Sequence, residues 1–138
     1  MKSPRLWIGL ALMLAAVLPA FALAARNAPK AAPRLAHMVF FTLKDRSEES
    51  KAKFVALCEK YLTGHPGTLH ISIGTIAEDV KEPISDREFD VALHLVFENK
   101  EAAAAYQKSK RHVEFVEKAI PLFAKVRVFD SYLAPDSK

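Results

Sequence analysis

Five histidines and a single cysteine are the side chains of this sequence best suited to chemistry near neutral pH. His37, His70 and His94 fall in β-branched and aromatic runs that read as strands, with Asp90 just before His94. Imidazole and carboxylate suit zinc or copper, and strands could turn these groups to one side of a sheet. No H-x-H or H-x-x-x-H spacing accompanies them, so no metal site is expected. Cys58 has no second cysteine to pair with, and it sits on the apolar phase of a predicted helix, where a small buried hydrophobe is expected. His65-Pro66-Gly67 reads as a chain reversal. The chain has no Gly-rich phosphate loop, no G-x-S-x-G, no C-x-x-C and no dinucleotide fingerprint, which argues against serine hydrolases and nucleotide enzymes.

The elements that must position these residues follow from periodicity. Leu35 to Leu43 reads as a strand, with His37, Val39, Phe41 and Leu43 on one face and Met38, Phe40 and Thr42 on the other. Ser47 is a suitable N-cap, Glu48 and Glu49 suit the first turn, and Phe54, Val55, Cys58, Tyr61 and Leu62 form one helical stripe. Gly64, Pro66 and Gly67 end that helix. Leu69 to Ile76 and Phe89 to Phe97 read as strands, joined by a charged loop over residues 77–87. Asn99 caps a second helix, with Ala102, Ala105 and Tyr106 inward and the pattern resuming at Val113, Val116 and Ile120 before Pro121. Lys125 to Leu133 is the last strand.

The order βαββαβ predicts an α+β, ferredoxin-like fold: a four-stranded antiparallel sheet with both helices on one face. The first strand is apolar on both faces, so the side left bare by the helices needs a second cover. Another copy of the same sheet supplies it most economically, closing into an α+β barrel. A homodimer is therefore expected.

The N-terminus reads as a signal peptide over residues 1–24. Lys2 and Arg5 make a basic start, Leu6 to Leu18 is apolar, and Ala22-Leu23-Ala24 has the small-x-small pattern of a cleavage site. The apolar run falls short of the ~20 residues of a spanning helix. A secreted or periplasmic protein, with no membrane segment after cleavage, is expected. Residues 25–33, rich in Ala and Pro, read as a flexible linker, and residues 34–134 as the domain. Losing Lys2 and Arg5 leaves 18 basic residues against 16 acidic ones, and the densest basic patch, Lys108, Lys110 and Arg111, reads as a solvated helix face. No nucleic-acid partner is expected.

Three segments resemble one family in order and spacing. His37-Met38-Val39-Phe40-Phe41 resembles the opening H-x-V-x-F of the stress-responsive dimeric α/β-barrel (Dabb) domain. Tyr106 to Phe115 resembles its Y-x-x-H-P-x-H-x-x-F, and Phe129-Asp130-Ser131-Tyr132 resembles its closing strand. The resemblance implies a homodimeric barrel with a cavity between each sheet and its helices, for which His37, Phe40, Phe54 and His94 are the expected lining. It also implies two uses. One is binding a small apolar molecule, or a non-catalytic stress-linked module. The alternative is a cofactor-independent enzyme, cyclase-like or quinol monooxygenase-like. In plant polyketide cyclases of the family, a Tyr and a His matching Tyr106 and His112 act as an acid–base pair. No cofactor is expected on either reading.

The sequence departs from that motif at Ser109, where the family has His, and at Lys110, where it has Pro. In one unbroken helix, six residues turn the chain by about 600°, which leaves Tyr106 and His112 about 120° apart. They converge only if the helix breaks between them. A proline helps to break it, and Lys110 does not force it.

Overall fold

A computed structural model describes residues 32–135. The expected signal peptide and residues 25–31 of the expected linker lie outside the described residues. Four strands and three helices follow: β1 (Leu35–Leu43), α1 (Glu48–Leu62), β2 (Thr68–Thr75), β3 (Val91–Phe97), α2 (Lys100–Lys108), α3 (Lys110–Ala119) and β4 (Phe123–Tyr132). The sheet runs β2-β3-β1-β4 and all its pairings are antiparallel. This is the ferredoxin-like arrangement that the element order predicts, with one difference: the second helix is two helices.

Local chemistry explains the ends of the elements. Ser47 caps α1, its hydroxyl accepting from Ser50 N–H at 3.2 Å, with Glu48 and Glu49 in the positive first turn. Gly64, at φ 68°, adopts the left-handed conformation that turns the chain out of α1. Asn99 caps α2 by accepting from Ala102 N–H at 2.8 Å. β3 opens at Val91, two residues later than the sequence pattern suggests, and Asp90 tucks its carboxylate under the end of β1. There it accepts from Leu43 N–H and from Arg46 Nε, both at 2.8 Å.

The odd-numbered residues of β1 and β3 face the helices. Val39, Phe41, Leu93, Leu95 and Phe97 pack there against Phe54, Cys58 and Leu62 of α1 and Ala103, Tyr106, Phe115 and Ala119 of the later helices. Phe41 lies 4.9 Å from Phe54 and 5.5 Å from Phe123, ring to ring, at the tilted angles aromatic pairs prefer.

The other face is mixed. Strand register places Met38, Phe40, Val96 and Phe129 there, together with His70, Ser72, His94 and Arg127. The loop between β2 and β3 covers one end of it. Phe89 stacks edge-on against Phe40 at 5.1 Å, Arg127 pairs with Asp86, and Lys125 reaches Glu88 at 3.3 Å. Beyond the loop Phe129 remains 54% exposed.

Asp90 is 1% exposed and holds two donors, so removing its carboxylate strands a buried backbone N–H. Asp90→Ala is expected to cost about 2–3 kcal/mol. Urea unfolding would read this as a lower midpoint at unchanged slope.

Candidate active site

Tyr106 sits in the last turn of α2 and His112 in the first turn of α3, and the residue between the helices decides their geometry. Ser109 leaves the helical region at φ −64°, ψ 145°. It ends α2 and is also the N-cap of α3, its hydroxyl accepting from His112 N–H at 3.2 Å. The chain thus breaks without a proline, and the Tyr106 and His112 rings come to 4.6 Å between centroids. The break also resets the helical phase. Phe115 and Ala119 point inward on α3, while Val113 and Ile120 are exposed. On α2, Ala103 and Tyr106 are buried and Ala105 is exposed.

Both rings line a cavity of about 480 Å³ between sheet and helices. Val39, Phe41 and Leu93 form its floor, and Phe115, Val116 and Ala119 wall it from α3. Its outer side is β4, whose Val126 and Val128 are 41% and 48% exposed, so the cavity opens toward the sheet edge. Across from His112 stands a second polar group. His37 on β1 lies opposite Asp130 on β4, and its Nδ1–H donates to Asp130 Oδ1 at 2.7 Å.

Each member of the pair is set by its surroundings. Burial pushes the Tyr106 phenol well above the ordinary tyrosine range, so it keeps its proton and can donate it in a hydrogen bond. Burial also lowers the pKa of His112 below the ordinary 6.5, and the nearby His37 and His65 rings add to that effect. His112 Nδ1–H donates to the Gln107 carbonyl at 3.0 Å. A neutral His112 therefore carries its lone pair on Nε2. A protonated phenol beside a neutral imidazole is a donor beside a base.

The structure separates the four residues expected to line the cavity. His37 lines it. Phe40 and His94 do not, because strand alternation turns even-numbered β1 and β3 residues to the opposite face, where their rings meet at 5.8 Å. Phe54 is packed into the core, 1% exposed, and is not part of the cavity wall. Alternation likewise splits the strand histidines, with His70 and His94 on one face and His37 on the other. Among the described residues no group of three or more His, Cys, Asp or Glu side chains is placed to hold a metal ion. Sequence reasoning missed Ser109 as a cap, although Ser three residues before His112 is the residue type that N-caps favour. It also missed His65, for which the sequence offered only a turn.

The profile of the stress responsive A/B barrel domain matches residues 35–133. The chain belongs to that family. Known structures share the fold of this Dabb domain. A Dabb family protein from Mesorhizobium loti with a ferredoxin-like fold is 23% identical, with a TM-score of 0.61 over 76% of this chain and 99% of its own. A dimeric ferredoxin-like protein of unknown function from Thermobifida fusca is 15% identical, with a TM-score of 0.62 over 78% and 97%. The hydroxynitrile lyase of Passiflora edulis is 19% identical, with a TM-score of 0.61 over 77% and 98%. No curated protein matches the sequence.

Two outcomes test the geometry of this Dabb domain. Ser109→Ala removes the cap of α3 and is expected to cost about 1 kcal/mol in thermal or urea unfolding. The second concerns pH. His112 binds its proton less readily folded than unfolded, so its contribution to stability is complete above about 6.5 and declines as pH falls through the lowered folded value. Urea midpoints at pH about 7.5 and about 5 should therefore fall less in His112→Gln than in the unaltered protein.

Proposed function

We propose that this protein is a cofactor-independent acid–base enzyme of the Dabb family, acting outside the cytoplasm as a homodimer on a small, mostly apolar carbonyl compound. The observation that carries the reading is the Tyr106–His112 contact, assembled by the break at Ser109 on the wall of a cavity of about 480 Å³. That volume suits a small ligand, and the lining is apolar apart from a few convergent polar groups.

His112 Nε2 takes a proton from the carbon next to the carbonyl, and the electron pair moves onto the carbonyl oxygen. Tyr106 O–H donates a hydrogen bond to that oxygen as its charge develops. Return of the proton from His112, at carbon or after a new bond has formed there, closes the cycle. A hydroxynitrile lyase built on the same fold supports a catalytic use of such a cavity, although fold alone does not fix chemistry.

The bare sheet face supports the dimer. Met38, Phe40, Val96 and the half-exposed Phe129 form an apolar strip that the β2–β3 loop leaves partly open. A second sheet packed on it would bury that strip, and two ferredoxin-like neighbours are dimers in their own right. The basic start, apolar run and Ala22-Leu23-Ala24 of the N-terminus support export.

Deuterium uptake at the α-carbon of phenylacetone in deuterium oxide, followed by proton NMR, tests the chemistry. The protein should accelerate uptake, and His112→Ala should slow it about a hundredfold or more, with Tyr106→Phe also slower. Equal rates with and without protein across a panel of small ketones would remove the enzyme reading. Light scattering on residues 25–138 should give about twice the monomer mass, and Phe129→Glu should reduce it to one. A monomeric unaltered protein would overturn the dimer.

A further inference from the structure

His65 takes no part in the chemistry proposed above, yet it meets both the Tyr106 ring and the Ser109 cap. It lies in the turn after α1, between Gly64 and Pro66, and is buried. Its ring stands edge-on to Tyr106, 4.8 Å between centroids at 84°. Its Nε2–H donates to the Tyr61 carbonyl at 2.9 Å, one of the carbonyls that the end of α1 leaves without a helical partner. A ring that donates through Nε2 has its lone pair on Nδ1. That nitrogen lies 3.5 Å from the Ser109 hydroxyl.

The Ser109 hydroxyl is therefore used twice. It accepts from His112 N–H at 3.2 Å and donates toward His65 Nδ1 at 3.5 Å. A continuous line runs from the Tyr61 carbonyl through the His65 ring and the Ser109 hydroxyl to the backbone of His112. The same ring packs against Tyr106. A second tie supports it: Arg111, next to His112, donates to the Lys60 carbonyl at 2.9 Å. The start of α3 is thus held to the end of α1 at two points.

We infer that His65 is the positioning residue of this site: it fixes the Ser109 hydroxyl and the Tyr106 ring together, and so sets the angle at which His112 meets Tyr106. A rotating hydroxyl can cap α3 in several orientations, and one acceptor at a fixed place selects among them. The inference rests on the acid–base reading for its catalytic consequence. Its geometric content stands apart from that reading.

The test uses the full processed protein and reads the His112 ring by long-range proton–nitrogen NMR. His65→Leu removes the ring and both hydrogen bonds. His65→Gln keeps a donor for Tyr61 and an acceptor for Ser109. In unaltered protein, His112 should show a single neutral form protonated at Nδ1. In His65→Leu that form should become a mixture. In His65→Gln the original pattern should largely return. In phenylacetone exchange, His65→Leu should lower kcat about tenfold or more with KM within about twofold.

A folded His65→Leu protein with the unaltered His112 spectrum would overturn the inference. Should His65→Leu not fold, Ser109→Ala and Ser109→Thr decide. The mixture should appear in the first and not in the second, and an unaltered spectrum in Ser109→Ala overturns the inference equally. If the spectra change as stated but no ketone exchanges in unaltered protein, the acid–base reading fails and the positioning stands.

Discussion

Two side chains six residues apart on one helix point in different directions, and the Tyr106–His112 pair depends on how the chain escapes that constraint. Ser109 supplies the escape with one hydroxyl. By accepting from His112 N–H it starts a new helix while ending the old one. The turn brings the rings of Tyr106 and His112 to 4.6 Å, rotates Phe115 and Ala119 into the core and leaves room above Val39 and Leu93 for a ligand. Without the break, α2 and α3 would be one rod, and the phase that buries Tyr106 would carry His112 away from it.

The sheet sets the site's other limit. Its residues alternate between faces, so β1 can offer the cavity only His37, Val39 and Phe41. The intervening Met38 and Phe40 must serve the opposite face. There the β2–β3 loop does part of the work a second sheet would do, through Phe89 on Phe40 and the pairing of Asp86 with Arg127. Two of the loop's carboxylates, Asp86 and Glu88, meet basic β4 residues, a pairing that its charge pattern alone does not reveal.

The parts legible in the sequence were those written in periodicity and end signals. The strand of Leu35–Leu43, the cap at Ser47, the stop at Gly64 and the cap at Asn99 all read correctly because each depends on neighbours a few residues away. The cavity lining is only partly legible: His37, Tyr106 and His112 line it, whereas alternation turns Phe40 and His94 to the other face and Phe54 packs into the core. Ser109 was read as a loss from a motif, when its chemistry is that of a cap. His65 could not be found at all. Its partners Tyr106 and Ser109 lie more than forty residues away, and no local pattern encodes a ring placed between two helices.

A proline and a capped serine break a helix by different means, and the difference matters here. Proline removes an N–H and fills the space of the preceding turn, at about 3 kcal/mol or more against continuing the helix. A serine N-cap contributes only about 1 kcal/mol in favour of starting one. Lys110, by contrast, is a residue that helices accept well. A break resting on the cap alone would therefore compete closely with a continuous helix. Two ties to the end of α1 add to the cap: His65 toward the Ser109 hydroxyl, and Arg111 to the Lys60 carbonyl. Each joins the segment around the break to the end of α1 or to the turn that follows it. The geometry of the Tyr106–His112 pair is in this sense partly a tertiary property, held by the Ser109 cap together with its ties to the end of α1.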